Sequence, residues 1–245
     1  MKADIQEAGG VRDAAVDTVI RTQGLRKNYD TGEVKVEALR GIDIAITAGE
    51  MVAIMGPSGC GKTTLLNSLS GIDEPTAGQV FIDGQDLYKL RDRARTNFRA
   101  QSMGFIFQFF NLLPVLSVVE NVELPLLVGG AKPAEARNRA RAQIDRIGLS
   151  EQWAKRPAEL SGGQQQRVAI ARALVNEPAI VWCDEPTGNL DSETADEIMD
   201  VLCGLNKDKG QTFVVVTHAN EVGARCDRTI RMKDGLIHQD ERIGD

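Results

Sequence analysis

Gly56-Pro57-Ser58-Gly59-Cys60-Gly61-Lys62-Thr63 fits G-x-x-x-x-G-K-[ST], an order of residues that can wrap a row of phosphates. Glycines let the backbone curl until several N–H groups point at the anion, and a helix starting near Lys62 adds the positive end of its dipole. Lys62 is then expected to bridge β- and γ-phosphates and Thr63 to ligate Mg²⁺ through its hydroxyl, with Thr64 counted among the binding residues. Cys60 reads as a small loop residue. A second constellation is Ile180-Val181-Trp182-Cys183-Asp184-Glu185, an apolar run ending in two acids. Adjacent acids at a strand end are often solvated turn residues, but the phosphate-loop match favours chemistry. Asp184 is expected to hold Mg²⁺, through water, and Glu185 to polarise an attacking water as general base. A third is Leu160-Ser161-Gly162-Gly163-Gln164. Ser161 and Gln164 have the spacing of a capping box, which needs no ligand. Two glycines just inside a helix start cost stability, so they imply a close approach to the backbone, and the dipole there favours an anion such as a γ-phosphate.

These residues need elements to hold them. Met51 to Met55 is apolar on both faces, as a central parallel strand requires, and runs straight into the glycine-rich loop. Leu65, Leu66 and Leu69 follow at helical spacing, and Gly71 is placed to end that helix. Ile42, Ile44 and Ile46 alternate with Asp43, Ala45 and Thr47, the period of a strand buried on one face. Val80 to Ile82 with Asp83-Gly84, and Thr229 to Met232 with Asp234-Gly235, read as strands ending in tight turns. A helix is expected from about Gly162 to Val175, a strand over Ile180 to Cys183, a helix near Ser192 to Leu205 and a strand from Thr212 to Val216. Between residues 85 and about 160 the pattern changes. Charged helical stretches, Leu90 to Ala100 and Pro133 to Ile147, flank a segment holding Pro114 and Pro125, as expected of a mostly helical lobe inserted into the core.

Bulk properties narrow the function. A chain of 245 residues with 42% hydrophobic content can build one α/β unit with a small lobe. No run approaches the roughly 18 apolar residues of a membrane helix, and residues 1 to about 17 are polar, so a flexible tail with neither signal peptide nor anchor is expected. A net charge of −6 disfavours a nucleic-acid binder. Cys60, Cys183, Cys203 and Cys226 are scattered with no C-x-x-C pair, as in a reducing cytosolic compartment.

Together the glycine-rich loop, Leu160 to Gln164 and Ile180 to Glu185 resemble the Walker A, signature and Walker B motifs of ABC ATPases, over about residues 18 to 237. The resemblance implies an α/β P-loop NTPase core, its mixed, mainly parallel sheet joined by an N-terminal antiparallel β region and a helical subdomain at about 85–160. It implies a head-to-tail homodimer enclosing two ATP, with Ser161, Gly162, Gly163 and Gln164 contacting the ATP of the opposite subunit. By the same resemblance His218 matches the switch histidine that contacts the γ-phosphate and orients Glu185 and the water, and Gln108 the glutamine that senses Mg²⁺ and γ-phosphate. Asp191 matches the loop coupling the two sites, and Tyr29 the aromatic that stacks on adenine. Trp182 and Cys183 depart from the family's usual aliphatic pair, which bears on packing rather than on the acids. Gln108 to Pro114, Glu120 to Pro125 and Pro186 to Asp191 are similar to the ATPases of lipoprotein-releasing and macrolide-export complexes. That implies a separate transmembrane permease, at the cytoplasmic face of the inner membrane, driven for export, lipoprotein release or mechanical signalling. An importer of small solutes shares the catalytic motifs but differs before Asp191. A soluble ABC protein of translation or DNA maintenance needs a second ATPase unit or a long coiled coil. Two surface features stay open. Phe109, Phe110, Leu112 and Leu113 either line a partner's groove or fill the lobe, whereas Lys89, Arg91, Arg93, Arg95 and Arg99 read as a solvated helix face rather than a lipid contact.

Overall fold

The computed structural model describes residues 18–243 apart from 31, 33 and 34; the tail read over residues 1–17 lies outside the described residues. Its strands are β1 (Thr18–Asp30), β2 (Lys35–Ile42), β3 (Ala45–Thr47), β4 (Met51–Met55), β5 (Ala77–Ile82), β6 (Gln85–Asp86), β7 (Met103–Phe107), β8 (Ile180–Asp184), β9 (Thr212–Thr217), β10 (Arg228–Lys233) and β11 (Leu236–Arg242). The helices are α1 (Lys62–Leu69), α2 (Asp92–Ser102), α3 (Val118–Val128), α4 (Pro133–Arg146), α5 (Gly162–Leu174), α6 (Ser192–Lys209) and α7 (Asn220–Gly223). Among the described residues no helix is long and apolar enough to cross a membrane.

Two sheets share the core. One runs β11-β10-β4-β9-β8-β7, parallel throughout except for β11 at its edge, and the other, β2-β1-β5-β6 with β3 on β1, is antiparallel. The pleat of β4 explains why all five of its residues are apolar. Val52 and Ile54 join Leu65, Leu66, Ile20 and Leu39 on one face, while Met51, Ala53 and Met55 join Ile170, Ile198 and Leu202 on the other. Trp182 is fully buried in the first of these clusters and Cys183 in the second, so the unusual pair is accommodated by packing. The indole N–H of Trp182 finds no acceptor.

The alternation over 42–47 holds as burial but not as one strand. Ile42, Ile44 and Ile46 are all buried, yet the ladder breaks between β2 and β3. There Thr22 Oγ1 donates to Ile42 O (2.8 Å) and accepts from Ile44 N (2.9 Å), and Asp43 Oδ1 accepts from Gly24 N (2.6 Å), so side chains replace ladder bonds. The two expected turns form: Asp83-Gly84 and Asp234-Gly235 both have positive φ, 49° and 74° in each pair, as a two-residue hairpin requires.

The stretch 85–160, expected to be mostly helical, also holds β6 and β7. Met103–Phe107 is a core strand parallel to β8, and Gly104 lets it lie against α5, since a Cβ there would meet Ala173 O at 2.4 Å. Pro125, in the central segment between the charged helical stretches, lies inside α3. Ser117 and Glu120 start that helix with a capping box, and Val118, Val122 and Leu126 bury one stripe against Ala136, Ala140, Ile144 and Val168. At Pro125 the helix forgoes the backbone bond to Asn121 O, a cost that the burial of the neighbouring stripe offsets.

One charged group pins the two sheets together. Arg228 binds both Asp240 oxygens at 2.6 Å, donates to Ala45 O at 2.8 Å and lies 3.5 Å from the buried Glu50. Arg228→Ala would leave Glu50 without its nearest cation. Breaking a buried pair costs about 3–5 kcal/mol and an exposed one under about 1, so this half-buried network should lose about 2 kcal/mol. A denaturant midpoint that does not move would show the network to be ornamental.

Candidate active site

Local backbone geometry builds the loop first. Gly61, the N-cap of α1, has φ 105°, and a Cβ there would sit 2.5 Å from Ala38 O. Gly56 has φ 151°, and its Cβ would lie 2.3 Å from Met232 O. Both positions therefore demand glycine for φ and for space. Lys62 folds over the loop, its amine donating to Gly56 O (2.8 Å) and Pro57 O (3.0 Å). Cys60, counted with the loop's binding residues, is instead buried in the core cluster behind the loop.

Parallel register then brings the polar residues together. Phe107, Asp184 and Val216 are neighbours across β7, β8 and β9, so Gln108, Glu185 and Thr217 emerge at one carboxyl edge beside the loop. Thr63 Oγ1 lies 3.5 Å from both Asp184 oxygens. Glu185 adopts φ 50°, held by its N–H donating to Val216 O at 2.9 Å. Its carboxylate accepts from Thr217 Oγ1 (3.2 Å) and sits 2.7 Å from His218 Nδ1.

Burial pushes the Asp184 carboxyl above the usual carboxylate range, and the charge of Glu185 adds to the shift; the Thr63 hydroxyl and Lys62 oppose it. An acidic oxygen beside a hydroxyl suits a hard cation such as Mg²⁺, whose charge would relieve that repulsion. A raised carboxyl pKa means that the folded chain binds the proton more tightly than the unfolded chain. The ionised form then costs stability, a cost that grows as pH rises from the unfolded-state pKa to the folded one and is full above it. Asp184→Asn, measured without nucleotide or metal, should therefore unfold at a higher temperature at pH 7, by about 2–4 °C per kcal/mol relieved, and the gain should vanish at acid pH. A lower midpoint would mean that the carboxylate is stabilised where it stands.

A cleft of about 940 Å³ joins these parts. Of the residues singled out by sequence, Tyr29, Ser58, Gly59, Gly61, Lys62, Thr63, Thr64, Asp184, Glu185 and His218 line it. Tyr29 donates its hydroxyl to Asp73 Oδ2 at 2.6 Å, leaving the ring partly exposed. Sequence reasoning missed Val36, Ala38, Arg40 and Asp234 on the cleft wall. Val36 is there because it pairs with Tyr29 across the β1–β2 ladder, a long-range fact with no local signal.

Gln108, Ser161 to Gln164 and Asp191 do not line this cleft. Ser161 caps α5, with its hydroxyl accepting from Gln164 N (3.3 Å) and Gln164 Oε1 accepting from Ser161 N (3.0 Å). Asp191 caps α6 by accepting from Thr194 N (3.0 Å) and Thr194 Oγ1 (2.8 Å). Gly163 has a reason within the chain, because a Cβ there would meet Thr194 Cγ2 at 2.5 Å; only Gly162, whose Cβ would make an ordinary 3.4 Å contact with Leu190, keeps room for an outside group.

Leu112 packs on the lobe's core, whereas Phe109 and Leu113 are exposed. A separate apolar groove of about 420 Å³ is lined by Phe105, Phe107, Asn111, Leu124, Pro125, Val128 and Arg172, and not by Phe109, Phe110, Leu112 or Leu113. Three members of the basic run are engaged locally: Lys89 with Asp86, Arg95 with Asp92, and Arg99 with Gly71 O.

A phosphate loop after the central strand, with catalytic-type acids on the strand two places over, places the chain among the P-loop ATPases. The ABC transporter family's sequence profile matches residues 39–188, and the chain belongs to that family. It is 47% identical over 230 residues to the macrolide export ATP-binding/permease protein MacB of Syntrophobacter fumaroxidans, covering 93% of this chain but only 32% of that relative. It is 42% identical over 224 residues to the ABC transporter ATP-binding protein YbbA of Escherichia coli, covering 91% of this chain and 98% of that one. Among solved structures, the ATP-binding cassette MJ0796, determined as a dimer in a post-hydrolysis state bound to ADP and Pi, superposes with TM-score 0.85 at 43% identity, over 92% of this chain and 99% of that one.

Proposed function

We propose that the chain is the nucleotide-binding motor of an ABC complex, pairing head-to-tail with a second copy around two ATP to drive a separate permease in export, lipoprotein release or mechanotransmission. The observation that carries this reading is the division of the site. Loop, acids and His218 share one cleft, while the capped start of α5 at Ser161 stands outside it with room at Gly162. A second copy facing the first would bring that helix start to the γ-phosphate. The dimer of MJ0796 supports the pairing, and the names of MacB and YbbA support a transporter partner. The apolar groove beside β7 offers that partner a seat. The complex would work at the cytoplasmic face of the inner membrane, and the net charge of −6 speaks against nucleic acid as a partner.

In this mechanism Tyr29 stacks on adenine and Lys62 exchanges its loop carbonyls for the β- and γ-phosphates. Thr63, Asp184 and Gln108 would hold Mg²⁺, which when bound supplies charge to the phosphate oxygens. Glu185 takes the proton of the water attacking the γ-phosphorus while the bond to the bridging oxygen breaks and ADP leaves. His218 and Thr217 hold Glu185 through the contacts already described, and Asp191 couples the paired sites.

Affinity purification of Glu185→Gln from its own cells with Mg-ATP in mild detergent tests the assignment. Recovery of a permease is the expected result; ribosomes or DNA without a membrane protein would overturn it. Ser161→Arg should abolish turnover by at least about 100-fold, as loss of a transition-state donor does, while the monomer still binds ATP. Loss of monomer binding would contradict a site acting in trans.

A further inference from the structure

Gln108 follows the β7 residue that pairs with Asp184, so it leaves the sheet at the same edge as the acids. Its side-chain amide is not loose. Nε2 donates to Asn189 Oδ1 at 3.2 Å, and Asn189 Nδ2 donates back to the main-chain carbonyl of Gln108 at 2.9 Å. Gly188 makes the room, because a Cβ there would stand 2.9 Å from Gln108 Nε2 and 3.2 Å from its Cδ. Asn189 also belongs to the turn that leads into Asp191, the cap of α6.

A primary amide has two unlike ends. Its oxygen can ligate a hard cation, whereas its NH₂ carries two positive hydrogens and repels one. A half-turn about the terminal torsion exchanges them, and that torsion is broad and nearly two-fold. With the nitrogen tied to Asn189, the oxygen is the end left for a cation.

We propose that Asn189 is a positioning residue that sets which end of the Gln108 amide meets the divalent cation, and that position 188 is glycine so that the pairing can form. The inference rests on the proposed role of Gln108 at Mg²⁺ and deepens it. It makes the turn before α6 a partner of the cation site, so movement of either one is felt by the other. Losing an outer partner of a metal ligand typically weakens the metal by about 10- to 100-fold.

The test uses the full chain carrying Glu185→Gln at saturating ATP. It reads the free Mg²⁺ concentration at the midpoint of dimer formation by light scattering, with Mn²⁺ binding followed in parallel by its electron paramagnetic resonance signal. Asn189→Leu and Gly188→Ala should each raise the midpoint by about 10- to 100-fold. Gln108→Glu presents oxygen from both ends, so Asn189→Leu added to it should shift the midpoint little; added to Gln108→Ala it should shift nothing. An unchanged midpoint in Asn189→Leu overturns the inference, and so does an equal rise in the Gln108→Glu or Gln108→Ala background. If the Glu185→Gln parent forms no ATP-dependent dimer at any Mg²⁺ concentration, the proposed function itself fails.

Discussion

Glu185→Gln should slow single-turnover ATP hydrolysis by about 100- to 10,000-fold, the range that a positioned general base contributes. The substitution is nearly isosteric, so the fold around it should survive. Thr217 can still donate to the remaining carbonyl oxygen, and His218 keeps a partner at the contact now 2.7 Å long. An amide nitrogen cannot accept the proton of the attacking water, so chemistry stops while ATP stays bound. Since ATP can hold a closed dimer only for as long as it remains unhydrolysed, the variant should accumulate as an ATP-dependent dimer. Size-exclusion chromatography with and without Mg-ATP reads that outcome directly. Turnover at the unsubstituted rate would remove Glu185 as the base and turn attention to His218 alone.

Lys62→Ala should lower ATP affinity rather than slow a bound turnover. Lys62 is 9% exposed, and its amine is already oriented over the loop by Gly56 O and Pro57 O. Removing one member of a buried, hydrogen-bonded charge pair costs about 2–5 kcal/mol, which is roughly thirtyfold or more in the dissociation constant. The loop itself should persist, because its shape comes from the conformations of Gly56 and Gly61 and from the strands pressed against them, not from the lysine. Equilibrium binding of a fluorescent ATP analogue, with circular dichroism to show the fold intact, separates the two effects. Unaltered affinity would move the phosphate contacts off this loop.

Much of the site was legible because its instructions are local. Glycines with positive φ, a lysine and a hydroxyl at set offsets, two acids ending an apolar run and a serine three residues before a glutamine each act within one turn or one strand end. The capping box at Ser161 and the turns at Asp83-Gly84 and Asp234-Gly235 formed where spacing put them for the same reason. The roles read for these residues by family resemblance remain with the proposed function and its tests.

What spacing left open has a common cause: each case turns on which distant segment comes to lie alongside. Met103–Phe107 is a strand because β8 accepts it as an edge partner. Pro125 stays helical because α4 and α5 bury the stripe around it. Gly163 answers to Thr194 of another helix, which a reading confined to the helix start cannot see. The amino-acid sequence by itself determined the phosphate loop, the two acids, the caps and the buried strands, since short-range sterics and burial period dictate those. Only the tertiary structure decided that Val36 walls the cleft beside Tyr29 and that Asn189 holds Gln108. Those contacts depend on strand order and loop closure across long stretches of chain, and residue types along the sequence carry a preference for burial or conformation but not the identity of a partner.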